Sequence, residues 1–258
     1  MTPTEGATGA EFDGRIAIIT GGGRGFGAAF GRAIAARGGH AILLDIDADA
    51  AEQAAARIRA SGGQATGAAC DVAREDDVQE VMDRVAEQFG GIDILINNAG
   101  LHSEAYSQPM AVMGLEMTRR LFEVNLMGVV ICTMAARPAM AGRPGACVFN
   151  ISSSAAYASG GAYGVSKLAV RGLTMAFARE LGPDGIRVNA VAPGLHLTDT
   201  IRLELNPATL QAVKAQQILP LDGTEEDIVQ AMLFLCSDRA RFVTGETLRV
   251  SAGFALCV

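Results

Sequence analysis

Thr20-Gly21-Gly22-Gly23-Arg24-Gly25-Phe26-Gly27 follows the apolar run Ile16–Thr20 and opens the helical pattern Gly27–Arg37. Strand, glycine-rich turn and helix in that order make an anion cradle. Gly21 lets the chain turn sharply, Gly25 lets backbone approach a pyrophosphate, and Gly27 lets the helix pack close to the strand. The helix start then presents free N–H groups and the positive end of its dipole. The spacing is Gly-x3-Gly-x-Gly, not the Gly-x-Gly-x-x-Gly of the dinucleotide fingerprint. A glycine cluster alone also suits a plain tight turn; its position between a strand and a helix decides.

Outward from this turn, apolar bursts alternate with helical patterns. The strand-like runs are Ile16–Thr20, Ala41–Asp45, Ala65–Asp71, Ile92–Asn97, Ala146–Ser152, Arg187–Val191 and Thr247–Val250. The helix-like stretches are Gly27–Arg37, Ala48–Ala60, Glu75–Phe89, Gly114–Met140, Ala162–Leu181 and Glu225–Ser237. Alternation of this kind requires crossover connections. The expected fold class is α/β: a doubly wound, Rossmann-type parallel sheet of about seven strands with helices on both faces. No linker or repeat divides the chain, so a single domain is expected over 14–258, behind a flexible N-terminal segment, 1–13.

Composition agrees. Half of the 258 residues are hydrophobic and 19% are charged, which excludes disorder and requires a large core. The net charge of −7 offers no basic face for nucleic acid. Cys70, Cys132, Cys147, Cys236 and Cys257 are odd in number and scattered. They read as buried small hydrophobes in a reducing compartment, with neither disulfides nor a metal site. The N-terminus lacks the apolar core of a signal peptide. The longest apolar stretch, Leu126–Ala136, is shorter than the roughly 20 residues a membrane span needs. A cytoplasmic protein with no membrane partner is expected.

Asp45 closes the second strand about 20 residues after the last glycine, where a carboxylate would accept hydrogen bonds from the adenosine ribose of NAD. A 2′-phosphate there would meet a like charge. Asp45 could instead simply start the turn Asp45-Ile46-Asp47. Arg24 points the other way, since a guanidinium in the glycine turn could hold that phosphate. NAD is therefore expected, with NADP less favoured.

With these residues in place, the chain resembles the short-chain dehydrogenase/reductase family, in its short single-domain branch, from Gly14 to Gly253. Thr20-Gly21-x3-Gly25-x-Gly27 matches its cofactor signature. Asp71-Val72 resembles its adenine-contacting pair, and Asn97-Asn98-Ala99-Gly100 its next landmark, with Asn98 near the adenosine ribose. Pro193-Gly194 and Thr198 resemble the turn that holds the nicotinamide. The implied cofactor-binding set is Gly21, Arg24, Gly25, Phe26, Gly27, Asp45, Asp71, Val72, Asn98, Gly100, Tyr163, Lys167, Pro193, Gly194, Leu195 and Thr198. Asn125, Ser153, Tyr163 and Lys167 fall where the family places its catalytic tetrad.

The chemistry of the last two also follows from their spacing. Four residues apart, Tyr163 and Lys167 stand one above the other on a helix face. A nearby ammonium favours phenolate and would bring a tyrosine toward useful acidity at neutral pH. Tyr157 and Tyr106 fail this test, with Gly161 and Met110 four residues on. Ser153 would orient the substrate oxygen, and the resemblance implies that Asn125 holds a water beside Lys167. The segment from Ser153 to Tyr163 is two or three residues shorter than is usual in the family, so Ser153 is placed from Asn150-Ile151-Ser152-Ser153, with Ser152 and Ser154 as alternatives. The family often has Asp or Asn then Gly-Gly near the C-terminus; this chain has Ser251-Ala252-Gly253.

Substrate walls are expected from Leu101–Gly114, Ser154–Gly161 and Leu195–Gln217. The last carries Leu195, Leu197, Ile201, Leu203, Leu205 and Leu210, which suits a medium-sized, largely apolar secondary alcohol or ketone. His102, Glu104 and His196 could touch a polar substrate group. One alternative is a 3-oxoacyl-[acyl-carrier-protein] reductase, which Thr244-Gly245-Glu246-Thr247-Leu248 resembles. Asp184 stands where those enzymes dock an acidic carrier with a basic residue, and the net charge is unfavourable for such docking. Another is a non-catalytic dinucleotide sensor, which would lack the Tyr/Lys pair. Gly114–Met140 and Ala162–Leu181 are apolar around much of their circumference, and the resemblance implies that they pack on a neighbouring copy in a dimer or tetramer.

Overall fold

All five residues of β1 (Ile16–Thr20) are buried, as are all four of β4 (Ile94–Asn97) and all five of β5 (Cys147–Ile151). Strands buried on both faces read as continuous apolar runs, the mark of an interior parallel sheet. The computed structural model describes residues 11–102, 104–158, 161–196 and 207–256. Its sheet has seven parallel strands in the order β3-β2-β1-β4-β5-β6-β7, with β2 His40–Asp45, β3 Gln64–Ala69, β6 Arg187–Pro193 and β7 Thr247–Val250. From β1 the chain winds outward through β2 and β3, then returns to β4 on the other side. That reversal opens a crevice beyond the carboxyl ends of β1 and β4.

Helices cover both faces. α1 (Gly25–Ala35), α2 (Ala48–Ala60) and, further along the chain, Glu225–Cys236 build one core around Phe30, Leu43 and Phe149. α3 (Glu75–Phe89) and the long helices that follow build the other around Ile18, Leu95 and Val148. After the short α4 (Met110–Met113), the expected helix Gly114–Met140 comprises α5 (Leu115–Phe122), a π-helical turn over Glu123–Met127, and α6 (Gly128–Met140). By length and composition this 26-residue run could cross a membrane, contrary to the count made on Leu126–Ala136. Here its buried side, including Cys132, Ala136 and Met140, packs into the sheet core. Among the described residues the remaining α-helices are α7 (Ala155–Ala158), α8 (Ala162–Leu181), α9 (Pro207–Lys214) and α10 (Glu225–Cys236). Cys70, Cys132, Cys147 and Cys236 are buried free thiols; Cys257 lies outside the described residues.

The amino ends of the strands are tied by charge. Asp93 accepts from the Ile16 N–H at 2.8 Å and holds Arg143 through both its oxygens. Arg15 reaches Pro144 O and Asp238. The expected loose segment 1–13 is corrected at its inner end. Phe12 is 1% exposed in the core, its N–H bonds Arg37 O, and Glu11 pairs with Arg239 at 2.8 Å. Phe12→Ala should lower the unfolding free energy by about 3–5 kcal/mol, read from urea denaturation, because a buried ring leaves a cavity.

Candidate active site

The glycine turn is held by its own tightness. Gly21 and Gly25 have φ of +61° and +51°, where only glycine is unstrained. A Cβ on Gly27 would fall 2.1 Å from Gly21 O, so α1 starts closer to β1 than any side chain allows. A Cβ on Gly25 would meet nothing within 4 Å, which leaves its backbone facing open space. Arg24 caps α1 in an extended conformation without a side-chain cap bond, and its side chain is exposed. A bare helix start, a crowded inner glycine and an open outer one fit a pyrophosphate.

Asn98 sets the shape of this turn. Its Nδ2 donates to Thr20 O and Gly21 O at 2.9 and 3.0 Å, so its amide clamps the cradle. Asp45 stands at the end of β2, and its two oxygens accept from Gly23 N–H (3.0 Å) and Asp47 N–H (3.1 Å). It starts the turn and faces the glycines at once. Asp71 accepts from Ala73 N–H and lies 3.5 Å from Arg120, beside buried Val72. Val72 also lines a small crevice with Thr20, Asn97, Ala99, Val124, Gly128 and Val129.

Ser153, Tyr163 and Lys167 converge at the carboxyl end of β5. Ser153 lies near enough to Tyr163 for its hydroxyl to favour the phenolate by hydrogen bonding. Ser153 Oγ also accepts from Ala155 N–H at 3.1 Å, so its proton is available to the tyrosine oxygen. Ser152 Oγ donates to Lys167 O at 2.8 Å, and Ser154 is buried with its N–H on Pro193 O. Lys167, 5% exposed, donates from Nζ to Ile151 O at 2.9 Å and lies 5.9 Å from the Tyr163 ring centre. Burial draws the lysine down to about 8. Burial also pushes the tyrosine up, and the bond from Ser153 only partly opposes it. The expected lowering of Tyr163 by the ammonium is not found: burial dominates, and what opposes it is Ser153.

Asn125 lies in the π-helical turn. Its amide bonds both Leu101 N–H and Leu101 O, and donates to Ser166 Oγ. Asn125 Oδ1 and Lys167 Nζ each stand 3.3 Å from where a Cβ on Gly100 would be, so both border that glycine. Pro193, Gly194 and Leu195 close the far side. Gly194 N–H bonds Val250 O, and a Cβ there would strike Ser251 at 2.7 Å. Thr198, Leu197, Ile201, Leu203 and Leu205 lie outside the described residues. His102 is exposed. His196 is turned inward at 4% exposure, bonds Gly194 O and meets Phe26 edge-on at 5.9 Å, so it is not offered to a substrate.

Three features went unanticipated. Ile46, 67% exposed, follows Asp45, and an apolar residue inside an Asp-x-Asp turn was its signal. The Phe26–His196 contact and a stack of two arginines on Tyr157 have no local signature.

Comparison with known proteins adds the following. A family model described as enoyl-(acyl carrier protein) reductase matches residues 21–255. The chain is 35% identical to the cis-4-hydroxycyclohexanecarboxylate dehydrogenase of Sinomonas cyclohexanicum, over 95% of this chain and 98% of that one. It is also 35% identical to the 7alpha-hydroxysteroid dehydrogenase of Escherichia coli K12, over 94% and 95%. The crystal structure of a putative D-mannonate oxidoreductase from Haemophilus influenza, with bound NAD, superposes with a TM-score of 0.88 at 26% identity, covering 95% and 96%.

A buried ammonium drawn down to about 8 costs stability wherever it is charged in the fold. Below pH 8 both folded and unfolded chains carry the proton, and the penalty is complete. Between about 8 and 10.5 the folded chain releases its proton first and the penalty fades. Lys167→Met should thus stabilise the protein near pH 7 by up to about 3 kcal/mol, less the lost bond to Ile151 O. The gain should shrink toward pH 10.5 in paired denaturation curves.

Proposed function

We propose, for a chain that belongs to the short-chain dehydrogenase/reductase family, that it is an NAD-dependent dehydrogenase or reductase of secondary alcohols and ketones. The observation that carries this reading is Lys167, buried one helical turn beyond Tyr163 and 5.9 Å from its ring, with Ser153 just past the end of the strand it is bonded to. When bound, the nicotinamide supplies or accepts the hydride. Tyr163 moves the proton: its oxygen takes the alcohol proton in oxidation and returns it to the ketone oxygen in reduction. Ser153 orients the same substrate oxygen. Lys167 holds positive charge beside the phenol and offers an N–H to the cofactor ribose. Burial favours the neutral phenol, the form that donates to a ketone.

Asp45 supports NAD. Its carboxylate is locked toward the glycine turn by two backbone N–H groups, keeps lone pairs for ribose hydroxyls, and repels a 2′-phosphate. The NAD in the superposed structure agrees with this reading. Both named dehydrogenase relatives favour an alcohol as substrate, and exposed Met110, Val112 and Leu115 at the α4–α5 corner favour one with apolar bulk.

A second reading, reduction of a 3-oxoacyl chain on its carrier protein, draws on the description of the matching family model. Against it, Asp184 is bound to Arg137 at 2.7 Å, and the net charge of −7 repels an acidic carrier. A dinucleotide sensor would have no use for the Tyr163/Lys167 pair. Four buried free thiols favour a reducing, cytoplasmic setting.

Tyr163→Phe decides between enzyme and sensor. Titrated with each dinucleotide, the variant should bind NAD more tightly than NADP, while turnover falls by on the order of 10²–10⁴. Unchanged turnover removes the mechanism, and tighter NADP binding removes the role of Asp45. Met127, Met134, Val165, Leu168 and Met175 stand exposed along the α5–α6 helix and α8, which favours a dimer or tetramer built on those helices. Sedimentation should give an assembly that Met134→Glu with Leu168→Glu reduces to monomers; a monomeric parent protein overturns it.

A further inference from the structure

Beside the tetrad lies a cationic cluster that the proton transfer does not use. Arg171 stacks on the ring of Tyr157 at 3.9 Å, and Arg249 approaches the same ring at 4.8 Å. Arg249 also donates to Ala255 O at 2.8 Å. Arg171 Nε is buried without a hydrogen-bond partner, and among the described residues no carboxylate pairs with Arg171. Buried N–H groups are almost always satisfied, and an orphaned guanidinium N–H is costly. A ring face attracts a cation only modestly and accepts no such bond in its place.

The cluster stands at the reacting edge of the sheet. Tyr157 lies in α7, between Ser153 and Tyr163. Arg249 pairs in register with Ala192, the residue before Pro193. Arg171 is two turns beyond Tyr163 on α8, about 12 Å along the axis, and helical side chains lean back toward the N-terminus. A guanidinium edge presents two parallel N–H groups, the match of a carboxylate.

We propose that Arg171 and Arg249, braced on Tyr157, form a subsite for the carboxylate of an anionic substrate whose carbinol or ketone reacts at Tyr163. This rests on the alcohol/ketone reading above and narrows it to hydroxy or oxo acids in which several carbons separate the two groups. The orphaned N–H then gains its acceptor, and the substrate is held at both ends.

The test compares a heptanoate bearing a hydroxyl on its penultimate carbon with its methyl ester, on the parent protein and on Arg171→Gln. The parent protein should prefer the acid by about tenfold in kcat/KM, the scale of one charge-assisted bond. Arg171→Gln should raise KM for the acid about as much, with kcat and the ester kinetics nearly unchanged. Calorimetry with hexanoate, without dinucleotide, should show binding to the parent protein that Arg171→Gln loses. No preference for the acid, an equal loss on both compounds, or absent hexanoate binding overturns the subsite. So does a changed sedimentation coefficient in Arg171→Gln with unchanged kinetics, which assigns the arginine to a contact between copies. If neither compound turns over, the alcohol/ketone reading fails, and the hexanoate arm still decides the subsite.

Discussion

The bond from Lys167 Nζ to Ile151 O is the contact on which the site depends. An ammonium taken out of water needs an acceptor, and the carbonyl at the end of a buried strand is one whose place the sheet fixes. The bond pins α8 to β5, and with it Tyr163 one turn earlier. Ser152 reinforces the same seam by donating to Lys167 O. The chemistry therefore rests on a group that is unfavourable where it sits, and the surrounding core must make up the difference.

The cradle across the crevice obeys a different constraint, that of space. Gly27 lies against Gly21 O, Gly22 against Leu43, and Gly23 against Asp45 and Ala50. The turn is a set of clearances as much as a set of bonds, and Asn98 locks them from β4. Because β1 and β4 are neighbours at the point where the winding reverses, a side chain just past the end of β4 can reach the cradle that follows β1.

Much of this was legible in the residue pattern. Ala48–Ala60, Glu75–Phe89 and Ala162–Leu181 have the bounds expected of them, because their apolar periodicity is clean and the chain changes character at each end. β1 and β7 also have the bounds expected of them; the other five strands shift by a residue or two, since β pairing depends on neighbours distant in sequence. The π-helical turn at Asn125 was not legible, because it arises from the amide pairing with Leu101, more than twenty residues away. Ser153 could be told from its neighbours only by orientation: three serines in a row differ in direction, not in type. The acidity of Tyr163 was misjudged for a related reason. A spacing of four residues brings the lysine near but says nothing of how much water both have lost.

The two ends of the strands are built to different standards. At the amino ends, Asp93, Arg143 and Arg15 lash loops to the sheet with charge that few substitutions would leave intact. At the carboxyl ends, the short segments α4 and α7 border the proposed site, and their loss would leave those lashings untouched. A lineage built on this frame can thus exchange its clientele by editing the brim alone, while the keel carries the load.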